Sequence, residues 1–410
     1  MKNLSNIALN IQASTTLQVD ALFKQMKQSG LDVVGFGAGE PDFDTPESIK
    51  QAAIKAIVDG KTKYTPASGT AELRKAVADR LRVDCGVDYA SEQIVVASGA
   101  KHSIFAALCC VLDPGDEVIL PAPYWVTYAE AIRMAGGVPI IISAPEGSDF
   151  KITKGQLLSA VSERSKLLIL NNPSNPTGML YSKAELEVLC DVCVSHDLYI
   201  LSDEVYYRFV YDGREFTSVA ALGDDVKERT ILVNGVSKTY AMTGWRIGYT
   251  ASGSDLARVM GNFLSHSTSA PSSISQVAAV QALCGEQDSV DEMCRIFKER
   301  RDYIVGRIAS IPNVSCRTPQ GAFYIMLNIE KLIGGSFDGR VIKNSDDFSL
   351  LFLEKGLVAT VSCSGFGCEN FVRLTYAASM ETIKTGMDRL EEFVQGFRKD
   401  SAKTPQRLRI

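Results

Sequence analysis

Asp203 and Lys238 stand at matching places in this chain. Asp203 follows the apolar run 198–201, within Ser202-Asp203-Glu204-Val205-Tyr206; Lys238 follows the run 231–233 through Asn234-Gly235-Val236-Ser237. A carboxylate and an amine at neighbouring strand ends can grip opposite sides of one flat heteroaromatic ring. The chemistry that needs both is an imine between a lysine and an aldehyde, with an acid set against a pyridine nitrogen.

Other polar groups fall just past predicted strands, where open parallel sheets bind ligands. Ser98-Gly99-Ala100 opens a predicted helix. Free amides and the helix dipole there favour an anion such as phosphate, and they equally suit a plain helix cap. Arg246 could add a charge-assisted fork to the same anion. Trp125, one of two tryptophans, could stack on a ring or sit in the core. Asn175 and Tyr206 could donate to a phenolic oxygen; turn chemistry and core packing are the plain alternatives. The Asn175-Pro176 bond is a candidate for the cis form. Lys238 has small or apolar neighbours, and partial desolvation there makes an amine more nucleophilic. Arg373 lies inside the apolar run 371–374, where a charge needs either a bound carboxylate or a structural ion pair. Gly39 lets a ligand approach its backbone amide. Gly35, Gly37 and Gly39 do not form a dinucleotide loop, because Glu40-Pro41 follow and no helix opens there.

The elements that must position these groups alternate. Apolar strands are predicted at 94–97, 118–120, 166–170, 198–201 and 231–233, and a helix carries Ile104, Leu108 and Val111 on one face. Thr45-Pro46-Glu47 reads as a helix start with proline at its first position. This pattern predicts an α/β fold whose largely parallel sheet is covered on both faces. The last third differs, with a charged helix near 291–310 and a separate strand group from Gly321 and at 371–375. We expect a large domain over 45–285, a smaller α+β domain from 1–44 with 286–395, and a polar tail over 396–410.

Of 410 residues, 46% are hydrophobic and 22% charged, an ordinary globular balance. With 43 basic and 48 acidic residues the net charge is −5, so no basic excess steers the chain to nucleic acid or an anionic membrane. No apolar run approaches the roughly 20 residues needed to cross a bilayer, and residues 1–30 lack a signal peptide's pattern; a cytoplasmic location is the expectation. The ten cysteines read as buried free thiols. Cys190 and Cys193 form a lone pair of ligand type without the further ligands zinc requires, and the three histidines are scattered.

At these residues the chain resembles the class I pyridoxal-phosphate aminotransferases of fold type I, from about residue 10 to 395, in the bacterial aspartate aminotransferase branch. Ala38-Gly39-Glu40-Pro41-Asp42-Phe43, Asn175-Pro176-Thr177-Gly178, Ser202-Asp203-Glu204-Val205-Tyr206 and the stretch 237–249 carry the likeness. The resemblance implies a large domain with a mostly parallel seven-stranded sheet, a smaller α+β domain, and a homodimer with shared active sites. It implies pyridoxal 5′-phosphate as cofactor, with Lys238 forming the imine and later moving the substrate proton. Asp203 pairs with the ring nitrogen, Trp125 stacks, and Asn175 and Tyr206 bond the phenolate. Ser98, Gly99, Ala100, Ser237 and Arg246 belong to the cofactor set, and Tyr64 reaches the phosphate of the neighbouring subunit. Arg373, Asn175, Trp125 and Gly39 bind the substrate α-carboxylate. Lys101, with Ser265 from the partner, meets the side-chain carboxylate of aspartate. A serine common in the family three places before the lysine is Gly235 here, and Gln12 stands where members that accept prephenate often have lysine.

The expected reaction moves the amino group of L-aspartate to 2-oxoglutarate. Aromatic amino acids, prephenate or alanine as donors keep the same chemistry. A carbon–sulfur β-lyase uses the same lysine and aspartate. A cofactor-binding transcription regulator needs a DNA-binding module ahead of the fold, for which residues before 10 leave no room.

Overall fold

The computed structural model describes residues 4–5, 8–9, 11 and 16–397. Gln12 and nearly all of the polar tail lie outside the described residues. The strands in chain order are β1 (Val34–Gly35), β2 (Ile94–Ala97), β3 (Glu117–Ala122), β4 (Val138–Ser143), β5 (Ser165–Asn171), β6 (Tyr199–Asp203), β7 (Thr230–Gly235), β8 (Gly248–Ala251), β9 (Ser315–Cys316), β10 (Tyr324–Asn328), β11 (Ser336–Phe337), β12 (Arg340–Val341), β13 (Val358–Ala359), β14 (Val361–Ser362) and β15 (Phe371–Thr375).

The chain divides into two compact units. The first contains Glu40–Lys298 and Pro319–Ala322. Its centre is a seven-stranded sheet in the order β2-β8-β7-β6-β5-β3-β4. Every pairing is parallel except those of β8, which runs antiparallel to both β2 and β7. The strands β4 and β8 carry no separate signal in the sequence reading. For β8 the reason is physical: β7 reaches it through the connection 236–247, with only a 3-10 turn at Thr243–Trp245, where a parallel neighbour needs a helical crossover. β4 is an edge strand whose side chains are mostly exposed or half-exposed, so it lacks the fully apolar signature of the inner strands.

Helices cover both faces of the sheet. The helix Ala100–Val111 buries Ile104 and Leu108 in one core with Val95, Leu120 and Ile169. The helix Lys183–Ser195 buries Leu186, Leu189, Cys190 and Cys193 in the other, with Leu168 and Ile200. Fully burying a leucine or isoleucine is worth about 1.5–3 kcal/mol, so these stripes hold the layers together. A capping box between Ser182 and Glu185 starts the second helix. Cys190 and Cys193 are core residues, and burial pushes both thiols up. All ten cysteines are free. Among the described residues no cluster of histidine, cysteine and acid residues could hold a metal, and no helix is long and apolar enough to cross a membrane.

The second unit holds residues 16–39, Glu299–Thr318 and residues 323–397. It has an antiparallel sheet β14-β15-β10-β9, and β1 pairs in parallel with β13. The helix Met380–Gln395 buries Ile383, Met387, Leu390 and Phe393. β15 coincides with the strand expected at 371–375.

Candidate active site

The register of the first unit's sheet aligns Asn171, Asp203 and Val233 in one row, at the carboxyl ends of β5 and β6 and two residues before that of β7. Asp203, the last residue of β6, is buried. Its Oδ2 accepts from the Tyr128 hydroxyl at 2.6 Å and its Oδ1 from the Val205 amide at 3.3 Å. Burial pushes this carboxyl up to about 6, against the opposing pull of those two donors and of the Lys238 charge. The lysine and the acid therefore lie within electrostatic reach of each other. Lys238 and Ser237 are half-buried in the connection after β7. Tyr206 is buried on the turn after β6.

Tyr128 was not anticipated from the sequence. Its only signal is position: a phenol one helical turn past Trp125, at the start of the helix Thr127–Met134. Its ring meets Trp125 edge-on, with centroids 5.4 Å apart. Burial first, and the Asp203 charge second, hold the phenol well above its ordinary range, so it stays a donor. Tyr128→Phe is expected to make Asp203 titrate above its present value of about 6, because a donor that favours the carboxylate is lost. Carbon-13 NMR titration of the cofactor-free chain measures this; an Asp203 that titrates identically in both proteins would contradict it.

Asn171 was also missed, because it reads as turn chemistry. Its Nδ2 donates to the Asp203 carbonyl at 2.9 Å and its Oδ1 accepts from the Asn175 amide at 2.7 Å. It thus ties the buried Asn175 to the end of β6. The Asn175-Pro176 bond is cis, as are Ala122-Pro123 and Asn172-Pro173. Glu204 turns away from this row. It is buried, and its Oε1 accepts from the Ser202 and Ser218 hydroxyls and the Val219 amide at 2.8, 3.0 and 3.1 Å. Burial raises it to about 7.

At the other end of the site, Gly99 caps the helix Ala100–Val111 with φ 90° and no side-chain cap. A Cβ there would lie 2.3 Å from Arg246 Nη2, so only glycine lets the guanidinium come this close. Arg246 donates to the Thr243 carbonyl at 2.9 Å and the Ser98 carbonyl at 3.3 Å. The Ser98 amide donates to His102 Nδ1 at 3.3 Å and the Gly99 amide to the Ala97 carbonyl at 2.8 Å. Ala100 and Lys101 begin the helix, so their amides precede its internal bonds. Exposed Lys101 places its Nζ 5.0 Å from the Trp125 ring centroid. Partial desolvation of its ammonium, then the nearby Arg246 charge, lower its pKa. A side chain at Gly235 would begin 2.8 Å from the Ile247 carbonyl oxygen, which gives the departure from serine there a steric reason.

Tyr64 is fully exposed and, with Thr62 and Ser272, lines a surface groove of about 510 Å³. Ser265 is exposed on the helix Ser254–Ser267, its hydroxyl donating to the Asn262 carbonyl at 2.7 Å. Both lie outside the cluster that these hydrogen bonds connect. Arg373 and Gly39 belong to the second unit. Arg373 is buried in β15, donates to the Gly37 carbonyl at 3.0 Å, and lies 4.5 Å from the Tyr324 ring centroid. A Cβ on Gly39 would lie 3.3 Å from the Tyr324 hydroxyl, so Tyr324 is shared between the two residues.

An α/β sheet that ends in a buried acid, with a lysine beyond the next strand, suits amino-group chemistry. The chain belongs to the class I and II aminotransferases, whose family model matches residues 31–390. It is 43% identical to the aspartate aminotransferase of Bacillus subtilis (strain 168), over 93% of this chain and 96% of that protein. It is 41% identical to the aspartate/prephenate aminotransferase of Cereibacter sphaeroides, over 97% of this chain and 100% of that one. The crystal structure of the aspartate aminotransferase from Rhizobium meliloti matches with a TM-score of 0.94 at 41% identity, over 97% of this chain and 100% of that one.

Proposed function

We propose that this chain moves the amino group of L-aspartate to 2-oxoglutarate, giving oxaloacetate and L-glutamate in two half-reactions on pyridoxal 5′-phosphate. The observation that carries this reading is Asp203: burial drives this carboxyl up to about 6, so keeping it ionised at neutral pH costs stability, and a cationic partner offsets that cost. A protonated ring nitrogen supplies that partner. The cradle of Gly99 against Arg246, which a Cβ would fill, suits the phosphate. When bound, the cofactor supplies an aldehyde for amine exchange and a ring that accepts the electron pair left by Cα–H cleavage.

The chain's own residues supply the rest. Lys238 would hold the cofactor at its aldehyde and would carry the proton of the substrate α-carbon. Asp203, aimed by Tyr128, holds the proton on the ring nitrogen. Trp125 covers the ring face, and Asn175 and Tyr206 donate to the phenolic oxygen. Ala100, Ser98, Gly99, Ser237 and Arg246 hold the phosphate, with Tyr64 of the partner subunit completing it in a homodimer. Arg373 with the Gly39 amide takes the α-carboxylate; orientation of this kind can lower a barrier by about 7–11 kcal/mol at best. Residues 45–285 serve as the cofactor domain and 1–44 with 286–395 as the small domain. Free thiols throughout suit a cytoplasmic location.

Lys101, with Ser265 of the partner subunit, takes the second carboxylate of the donor. Lys101→Ala is expected to raise KM for aspartate about tenfold to a hundredfold, the value of one charge-assisted hydrogen bond, and to leave alanine nearly unaffected. Equal losses for both donors would confine Lys101 to the phosphate end. A donor–acceptor panel on cofactor-loaded protein tests the whole reading. Aspartate with 2-oxoglutarate should lead; preference for prephenate, an aromatic amino acid or alanine would reassign the donor. Release of pyruvate and ammonia without a 2-oxo acid would make the chain a β-lyase.

A further inference from the structure

Lys238 and Arg246 lie on one connection between β7 and β8, and the residues between them have little regular structure to hold them. Ala241 and Arg246 both have left-handed backbones, with φ 51° and 56°. Such residues persist only where neighbours over-determine them. Backbone bonds within the connection, such as Met242 to Ser237 at 3.0 Å, supply part of this, and from outside it the neighbour is Thr45. Its hydroxyl donates to the Ala241 carbonyl at 2.7 Å and accepts from Trp245 Nε1 at 3.0 Å. One oxygen thereby ties together the two ends of the turn 241–245. The Ala241 amide in turn bonds the Lys238 carbonyl at 3.4 Å, and Arg246 bonds the Thr243 and Ser98 carbonyls. Thr243 is held from the same side, its hydroxyl donating to Glu40 at 2.5 Å. Thr45 has no capping duty that would explain it, since the helix Glu47–Val58 starts after Pro46 without a side-chain cap.

We infer that Thr45 is a positioning residue for the cofactor's phosphate: its hydroxyl clamps the turn 241–245 and so holds Arg246 across Gly99 at the start of the helix Ala100–Val111. This rests on the cofactor reading given above. Arg246 is exposed, and an exposed guanidinium on a loose turn loses side-chain and backbone freedom when it grips an anion. The clamp sets that freedom in advance.

The test compares the affinity of the intact chain for pyridoxal 5′-phosphate and for pyridoxal, which has the same ring and aldehyde but no phosphate. Wild type should bind the phosphate ester far more tightly; equal affinities would overturn the cofactor reading itself. Thr45→Val keeps the shape and loses both hydrogen bonds, so it should weaken the phosphate ester about tenfold while changing pyridoxal less than about twofold. Thr45→Ser should restore the wild-type ratio. Trp245→Phe removes the Nε1 donor together with part of the ring and leaves the Thr45–Ala241 bond in place, so it should give a partial, same-signed loss of about threefold; it also serves should Thr45→Val fail to fold. If the ratio of the two affinities stays at its wild-type value in both Thr45→Val and Trp245→Phe, or if both ligands weaken equally, the positioning role is wrong.

Discussion

Lys238→Ala will show no measurable transamination and will lack the visible absorbance that the wild-type chain acquires on adding pyridoxal 5′-phosphate. The expected loss is at least about 10⁴-fold, because one change removes both a covalent attachment and a proton carrier, and general acid–base catalysis alone contributes about 10²–10⁴. The loss will be local. Lys238 is half-buried on a connection, not in a core, and β7 before it and β8 after it are wholly buried strands that pair with each other. Stability should therefore change by less than about 1 kcal/mol, as for substitutions outside the core. Small primary amines should restore part of the rate in proportion to their basicity, since a free base can enter the space the side chain leaves. A Lys238→Ala protein that turns over normally, or that keeps its absorbance, removes the amine from both roles and with it the reaction proposed for the chain.

The strands that position this lysine were readable because each is buried on both faces and so is apolar along its length. β2, with all four residues buried, lies where the sequence predicts it, and the places of Asp203 at the end of β6 and Lys238 just past the end of β7 follow from the same pattern. The exposed edge of β4 and the short connection to β8 gave no such signal. Site residues were legible where their type is unusual for its place, as with an acid or a lysine just past an apolar run. Tyr128 and Asn171 were not, because a phenol in a helix and an asparagine beside a proline are unremarkable until the sheet register sets them against Asp203. Thr45 is a more extreme case. Its partners lie about 200 residues away in sequence, and only the folded chain brings the turn to it.

Asp203→Asn separates function from stability in opposite directions. With cofactor bound, the variant keeps the shape and the bond from Tyr128 but loses the charge that faces the ring nitrogen. Removing one member of a buried ion pair costs about 3–5 kcal/mol, which corresponds to a fall in kcat of roughly 10²–10⁴. Without cofactor the same change should help. Asp203 is raised in the folded chain from 3.8 to about 6 by burial. Well below pH 4 it is protonated in both the folded and the unfolded chain and contributes nothing. Between about 4 and 6 the unfolded chain releases the proton first, so folding stability falls as pH rises, by a total on the order of 3 kcal/mol that persists at neutral pH. Asparagine has no such proton. The cofactor-free variant should therefore be more stable than wild type at pH 7, with the difference shrinking as pH falls below 4; Glu204, raised to about 7 chiefly by burial and only last by the Asp203 charge, contributes a similar downward slope to both proteins and largely cancels. Urea unfolding of the two cofactor-free chains at several pH values reads the difference directly. A variant that loses activity and is also less stable at pH 7 would make Asp203 a structural acid, whereas unchanged kcat would remove the ring nitrogen as its partner.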